Sequence, residues 1–135
     1  MKAIADTGFV VAFLNRSDRY HDWASAIGRA VLEPLLTCEA VLAEATFQVE
    51  SAHEVLGLLR TGFLHIAFDL AQNADEVEAL AERYEDRKPD LADLCLIRMS
   101  ELYDNLPVIT VDEKDFRVYR RNGREVIPIV CPPRG

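Results

Sequence analysis

Four acidic side chains interrupt apolar segments of this 135-residue sequence. Asp6 follows the run "KAIA", Glu44 stands inside "VLAEATF", Asp93 stands inside "LADLCLI", and Asp112 follows "VITV". Burying a carboxylate costs free energy unless something uses its charge, and carboxylates gathered in one cleft also repel each other. A divalent cation relieves that repulsion, and oxygen-only ligands favour Mg²⁺ or Mn²⁺ over zinc. A carboxylate-held Mg²⁺ with open water positions suits phosphoryl chemistry.

The apolar pattern predicts the elements that position these residues. The predicted strands are "KAIAD", "LLT", "FLHIAF", "PVITVD" and "EVIPIV", and stretches with helical spacing lie between them. Two of the predicted helices flank the acidic residues: "TGFVVAFLN", which Thr7 or Asp6 is able to cap, and "DLADLCLIRMSELYD", which is apolar on most faces. This alternation indicates a three-layer α/β/α sandwich with a central, mostly parallel sheet. The length fits a single domain over residues 1–135.

The predicted sheet brings the acidic residues to one edge. Asp6 and Asp112 end two strands that we expect to be parallel neighbours, and ligands bind at the carboxyl ends of such strands. Asp93 lies in the first turn of the apolar helix, and Asp90 is three residues earlier on the same face. Local alternatives stay open at this point. Asp90 and Asp112 are also good N-caps for the helices that follow them, and Glu44 is also compatible with a solvent-facing position.

Charge is distributed unevenly along the chain. The net charge of −8, taken alone, argues against nucleic-acid binding, which needs cations to contact phosphates. However, residues 105–135 hold six basic and four acidic residues, whereas residues 51–104 hold five basic and twelve acidic ones. The segment "FRVYRRNGRE" alone contains four arginines. It is either a solvated face or a phosphate-binding patch, and Arg117, Arg120 and Arg121 are the candidate phosphate contacts.

The sequence gives little support for other kinds of cofactor, nucleotide or metal site. The sequence has no G-x-G-x-x-G and no G-x-x-x-x-G-K-[ST] motif, and its three histidines lack metal-ligand spacing. Cys38, Cys95 and Cys131 are far apart in apolar surroundings, which is typical of reduced thiols in a cytoplasmic protein. No apolar run reaches the roughly 18–20 residues of a membrane span, and the N-terminus lacks a secretory cleavage pattern. We therefore expect a cytoplasmic protein without a membrane partner.

Four segments, in order, resemble the motifs of the PIN-domain family. "IADTGFVVAFLNRSDRYH" resembles the first motif, "TCEAVLAEATF" the second, "DLADLCLIRMSE" the third and "VITVDEKDFRVYR" the fourth. The family's functional positions fall on the four acidic residues described above, with Asp90 as an extra acidic residue and Asp115 as part of the fourth motif. The subgroup that these segments resemble is that of the VapC-type toxins of toxin–antitoxin pairs.

The resemblance implies a Mg²⁺-dependent endoribonuclease, with Mn²⁺ as a possible substitute, that acts as the toxin of such a pair. It implies an RNA substrate, an antitoxin partner and a homodimer. If exposed, Trp23, Phe47 or Tyr103 could serve these protein contacts, and core packing is the alternative for each. Alternatives are a PIN-domain nuclease that is not a toxin, a non-catalytic PIN-like interaction module, and, with poorer motif agreement, a phosphatase or Ca²⁺-binding domain. The implied site comprises catalytic Asp6, Glu44, Asp93 and Asp112, metal ligands Asp6, Asp93 and Asp112, and secondary residues Asp90, Asp115, Thr7 and Thr110.

Overall fold

The computed structural model of the protein describes residues 1–134. Within them, seven strands are formed. These are β1 (Ile4–Ala5), β2 (Leu35–Thr37), β3 (Leu64–Ile66), β4 (Val108–Ile109), β5 (Arg120–Arg121), β6 (Glu125–Val126) and β7 (Ile129–Val130).

Helices connect and flank these strands. Seven α-helices lie within residues 1–134: α1 (Thr7–Leu14), α2 (His21–Ala30), α3 (Glu39–Val49), α4 (Ala52–Arg60), α5 (Ala74–Arg83), α6 (Leu91–Leu102) and α7 (Glu113–Val118). A short 3₁₀ helix, Glu85–Arg87, precedes α6. The helix α1 packs on α2 and α3, while α6 packs on α3, α5 and β1.

Five strands form one parallel sheet in the order β3-β2-β1-β4-β7. The central strand β1 pairs with β2 on one side and with β4 on the other, and Ala5 lies opposite Ile109 in the latter pair. The predicted α/β fold with a parallel sheet flanked by helices is therefore confirmed. The register matters for function because the next residues along the two strands, Asp6 and Thr110, become neighbours at the carboxyl edge.

The predicted last strand "EVIPIV" is two strands in the structure. Glu125–Val126 pairs antiparallel with Arg120–Arg121 in a separate hairpin, and Ile129–Val130 joins the main sheet beside β4. Pro128 lies between them and has no backbone N–H to donate to a continuous ladder. Its carbonyl instead accepts a bond of 2.9 Å from the Val108 amide.

Two of the three aromatic residues considered as protein contacts pack against the core, which was the alternative for each of them. Trp23 packs edge-on against Phe9, with ring centroids 6.1 Å apart. Tyr103 packs against the core, and its hydroxyl donates a bond of 2.9 Å to the Ala67 carbonyl. Both side chains are thus used within the fold, because a large ring gains more by packing than by exposure. Phe47, in contrast, is 83% exposed.

The three cysteines are free thiols. Cys38 and Cys95 are buried and Cys131 is half-buried. Among the helices of residues 1–134, none combines the length and the apolar character that crossing a membrane would need.

Candidate active site

A cleft of about 370 Å³ opens at the carboxyl edge of the sheet. The end of β1, the start of α1, α3, the start of α6 and the loop after β4 all contribute to its walls. Six carboxylates line it, together with two cations, Arg87 and Lys88. The acidic residues are Asp6, Glu44, Asp90, Asp93, Asp112 and Asp115. The structure therefore brings together every acidic residue that the sequence analysis singled out.

Asp6 is the buried carboxylate of this cleft, at 5% exposure. Its Oδ1 accepts a bond of 2.6 Å from the Thr7 amide, and its Oδ2 accepts one of 2.5 Å from the Thr110 hydroxyl. Burial raises the pKa of Asp6 to about 6, against the opposing effect of these bonds, and the charges of Asp112 and Asp90 raise it further. Asp6 thus holds its negative charge at a free-energy cost.

The first helix is capped by one of the two residues that the sequence offered for this role. Asp6, not Thr7, is the N-cap of α1, because the Asp6 side chain accepts the Thr7 amide while Thr7 already has helical geometry. The Thr7 hydroxyl is buried, and it finds no hydrogen-bond partner among residues 1–134. A buried hydroxyl without a partner is costly in a folded protein. Its position in the wall of the carboxylate cleft leaves it available to a group bound there.

Asp93 lies in the first turn of α6, where it faces both Asp6 and Tyr119. The Tyr119 hydroxyl donates a bond of 2.9 Å to Oδ2 of Asp93. Burial raises the pKa of Asp93 to about 8, and the charges of Asp6 and Asp90 contribute to the rise. Asp90 serves as the N-cap of α6, since its Oδ1 accepts a bond of 2.8 Å from the Asp93 amide. Capping and lining the cleft are therefore compatible roles for Asp90.

Asp112 is held by the loop that follows β4. Its amide donates a bond of 2.9 Å to the Thr110 hydroxyl, and its side chain caps α7 by accepting one of 3.2 Å from the Asp115 amide. Burial raises its pKa as well. One ligand oxygen from each of Asp93, Asp112 and Asp115 lies within 4.8 Å of the other two. Asp115 also forms an ion pair of 2.7 Å with Arg87.

Glu44 approaches the cleft from α3. It is half-buried, and burial raises its pKa, with a further contribution from the charge of Asp90. Gln48, one turn later, donates a bond of 3.4 Å to Oε1 of Glu44. Glu44 therefore lines the cleft and does not simply face solvent.

The three candidate RNA-binding arginines occupy different environments. Arg117 is exposed and pairs with Glu113 at 2.7 Å. Arg120 donates to backbone carbonyls at the end of α7, including that of Tyr119 at 3.0 Å. Arg121 is 9% exposed, and its Nη1 donates a bond of 2.8 Å to the Ser100 carbonyl. Only Arg117 lines a cleft next to the acidic residues.

Sequence reasoning missed three parts of this site. Tyr119 belongs to the quoted fourth motif, but it stands among arginines and we assigned that stretch to a basic patch. The sequence did not indicate a role for Arg87 in the site, because its partner Asp115 is 28 positions away along the chain. The sequence indicated a tight turn at Thr7-Gly8 that presents Asp6, whereas Gly8 lies in the first turn of α1. A Cβ at Gly8 would lie 2.2 Å from Cγ2 of Val111, so this glycine allows the first turn of α1 to approach the loop that carries Asp112.

The residues of the cleft fit a divalent cation with oxygen ligands. Four carboxylates of the cleft have pKa values raised by burial, so a bound cation would compensate charges that the protein leaves unbalanced. The unpartnered Thr7 hydroxyl adds an oxygen at the same place. Histidine and cysteine do not contribute to the described lining, and this donor chemistry favours Mg²⁺ or Mn²⁺.

The fold and the cleft define an α/β protein whose parallel sheet carries a carboxylate cluster at its carboxyl edge. The sequence model of the PIN domain matches residues 3–122, and the chain therefore belongs to the PIN domain family. The family that the sequence motifs predicted is confirmed.

Comparison with solved structures agrees with the family assignment as far as the fold is concerned. Six solved chains match, among them the VapC20 toxin of Mycobacterium tuberculosis, which is described as cleaving the sarcin–ricin loop. The TM-score is 0.65 at 15% sequence identity, over 78% of this chain and 86% of that one. No curated protein sequence gives a significant match.

Proposed function

We propose that this protein is a divalent-metal-dependent endoribonuclease and the toxin of a toxin–antitoxin pair. One observation carries the proposal. Asp6, Asp93 and Asp112 converge in one cleft with pKa values raised by burial, and nearby carboxylates raise them further. A protein that keeps such an arrangement forgoes stability, which is typical of a catalytic metal site. Membership of the PIN domain family and the structural likeness to a VapC toxin support this reading.

In this proposal Asp6, Asp93 and Asp112 hold the metal, and Asp115 is the next carboxylate within reach. The chemistry that a Mg²⁺ held there would supply is that of a Lewis acid, which would stabilise charge on a phosphate oxygen and activate a water. The protein's own groups fix the ligands. The Thr110 hydroxyl holds Asp6, and the Tyr119 hydroxyl holds Asp93. Such supporting hydrogen bonds set the orientation of ligating carboxylates.

Two carboxylates are candidates for orienting the attacking water. Glu44 lines the cleft from a different helix than the three proposed ligands, and Asp112 is the alternative. The chosen carboxylate accepts the proton of the water as its oxygen attacks phosphorus. The bond from phosphorus to the leaving 3′ oxygen breaks, and that oxygen takes a proton from solvent water. The products are a 3′ hydroxyl and a 5′ phosphate. This outcome follows from the family resemblance.

The proposal also covers the substrate and the protein partners. The substrate is RNA in the cytoplasm, the toxin is blocked by a cognate antitoxin protein, and two copies form a homodimer. Phe47 is the aromatic side chain that we propose for one of these protein contacts, because it is 83% exposed and lies on α3 three residues after Glu44. A non-catalytic PIN-like module is less well supported, since the acidic set is complete.

RNA cleavage tests the proposal. Purified protein is incubated with structured and single-stranded RNA in Mg²⁺ or in EDTA, beside the variants Asp6→Asn and Asp93→Asn. We expect cleavage by the wild type in Mg²⁺ alone and a loss of at least a hundredfold in each variant. Asp104→Asn, which removes an exposed carboxylate outside the cleft, is the matched control and should cleave normally. Undiminished cleavage by both cleft variants contradicts the assignment.

A further inference from the structure

A second cleft, of about 580 Å³, adjoins the carboxylate cleft. The two share Val111 and Asp112 in their walls. We call the second one the basic cleft, because four cations line it against two carboxylates, Asp112 and Glu113. The cations are Arg19, Lys114, Arg117 and Arg134. In a chain with a net charge of −8, this is a pronounced local excess of positive charge beside the acidic site.

One carboxylate organises two of these cations. Oε2 of Glu113 accepts a bond of 2.7 Å from Nε of Arg117 and one of 2.8 Å from Nη2 of Arg134. Both arginine side chains remain largely in solvent, at 56% and 79% exposure. A single negative charge thus holds two guanidinium groups at one wall, and the pair retains a net positive charge.

The other two cations are free to bind an anion. Arg19 and Lys114 are exposed, and neither forms an ion pair with a carboxylate in residues 1–134. The Arg19 guanidinium lies 4.8 Å from the ring centroid of Tyr20, and this cation–π contact orients it at the cleft.

We propose that the basic cleft binds the phosphates of single-stranded RNA next to the bond that is cleaved. This inference rests on the proposed function. The carboxylate cleft holds six carboxylates against two cations and therefore repels a polyanion. Affinity for RNA has to come from cations outside it, and phosphate contacts supply most of the affinity of such complexes. The basic cleft shares a wall with the carboxylate cleft, so one RNA strand can occupy both.

The assignment changes which arginines contact RNA. Arg117 remains, whereas Arg121 is buried against the Ser100 carbonyl and Arg120 is bonded to backbone carbonyls. Arg19, Lys114 and Arg134 take their place. Arg19 is almost one hundred positions from Lys114 in the sequence, and only the fold brings them to the same cleft.

Binding of a fluorescent single-stranded RNA oligonucleotide tests this inference. Anisotropy is measured in EDTA, which prevents metal-dependent cleavage, over a series of salt concentrations. The test variant is Arg19→Ala/Lys114→Ala. The matched control is Lys2→Ala/Arg60→Ala, which removes one arginine and one lysine that are exposed and line neither cleft. Lys2 lies two residues before β1 and Arg60 is the last residue of α4, so both are away from the carboxyl edge of the sheet.

We expect the test variant to bind RNA roughly tenfold more weakly than the wild type. The slope of log affinity against log salt should also fall by about 1.4, since each lost contact to single-stranded nucleic acid removes about 0.7. The control pair, with the same change in net charge, should alter neither value appreciably. In parallel, cleavage in Mg²⁺ should show a raised KM for the test variant with little change in kcat.

The outcomes separate the two proposals. If the test and control variants bind RNA equally well while the wild type cleaves it, RNA binding by the basic cleft is contradicted and the proposed function stands. If the wild type binds RNA through Arg19 and Lys114 but does not cleave it in Mg²⁺, the proposed function fails and the basic cleft is supported. If the wild type does not bind RNA at all, both are overturned. Thermal melting of both variants verifies that they are folded.

Discussion

The hydroxyl of Thr110 donates a hydrogen bond of 2.5 Å to Oδ2 of Asp6, and so joins the carboxyl ends of two neighbouring parallel strands. The same hydroxyl accepts the amide of Asp112 at 2.9 Å. One buried side chain therefore positions two of the proposed metal ligands. It can do so because the register sets Ala5 opposite Ile109, which makes Asp6 and Thr110 neighbours.

Replacing Thr110 by valine should loosen both ligands. Thr110→Val keeps the shape of the side chain but leaves Oδ2 of Asp6 and the Asp112 amide without their partner. We expect a loss of about 1–3 kcal/mol in the free energy of unfolding, measured with urea. Mn²⁺ affinity should fall about 10- to 100-fold. Thr61→Val, at an exposed threonine after α4, is the control and should change stability by less than about 0.5 kcal/mol. Similar results for the two variants would contradict this role of Thr110.

The stability of the metal-free protein should fall as pH rises from 5 to 8. The pKa of Asp6 is raised to about 6 and that of Asp93 to about 8, both above the roughly 3.9 of an aspartate in an unfolded chain. A carboxylate whose pKa is raised by folding binds its proton more tightly in the folded state than in the unfolded chain. Their stabilising contribution is complete below about pH 4 and is lost as pH rises through the folded pKa values. Asp6 alone accounts for about 3 kcal/mol, and the half-buried Asp93 contributes less than its shift suggests because solvent screens it.

Urea unfolding in EDTA at several pH values measures this effect. Asp6→Asn should flatten the dependence and be the more stable protein at pH 8, because asparagine carries no charge. The exposed-site variant Asp104→Asn should follow the wild type. A wild-type stability that does not change between pH 5 and 8 would show that these carboxylates are not under strain.

Metal addition should distinguish the two possible ligand sets. The proposed set contains Asp6, while the closest group of ligand oxygens contains Asp115 in its place. We expect Asp6→Asn to reduce Mn²⁺ affinity more than Asp115→Asn, because Arg87 already balances the charge of Asp115 at 2.7 Å. At 100 times its Kd, Mn²⁺ should stabilise the wild type by about 2.7 kcal/mol.

The shift in melting temperature with Mn²⁺ measures this stabilisation. Asp93 belongs to both ligand sets, so Asp93→Asn should lose most of the stabilisation by Mn²⁺. A larger loss in Asp115→Asn than in Asp6→Asn would assign the metal to Asp93, Asp112 and Asp115. An equal rise in the wild type and in Asp93→Asn would place the metal outside the cleft.

Two glycines in helices should respond in opposite directions to alanine. Gly8→Ala would bring a Cβ to 2.2 Å from Cγ2 of Val111, and valine has few rotamers with which to retreat. We expect a loss of about 1–3 kcal/mol in the free energy of unfolding, together with reduced metal affinity, because Val111 precedes Asp112. Gly57→Ala, in α4 with no atom within 4 Å of the new Cβ, should gain about 0.5–1 kcal/mol. Chemical denaturation of both variants tests the pair, and a neutral Gly8→Ala would contradict the tight packing.

Local patterns predicted much of the fold. The buried strands are short apolar runs, and α6 is buried on most faces as its composition indicated. Local chemistry could not fix details that depend on partners elsewhere. Thr7 is as good a cap as Asp6 by residue type, but the strand geometry gave that role to Asp6. Likewise, only the pairing of Arg120–Arg121 with Glu125–Val126 shows that "EVIPIV" divides.

The identity and the order of the acidic residues could be read from the amino-acid sequence. Each stands where an apolar segment would otherwise continue, and a charge at such a position is visible without any coordinates. Tertiary structure alone decided how these residues are supported and what surrounds them. Tyr119 meets Asp93, Arg87 meets Asp115, and Arg121 is buried while Arg19 reaches the basic cleft. The physical reason is that hydrogen bonds and ion pairs act over a few ångströms, and only folding brings side chains from distant positions within that distance.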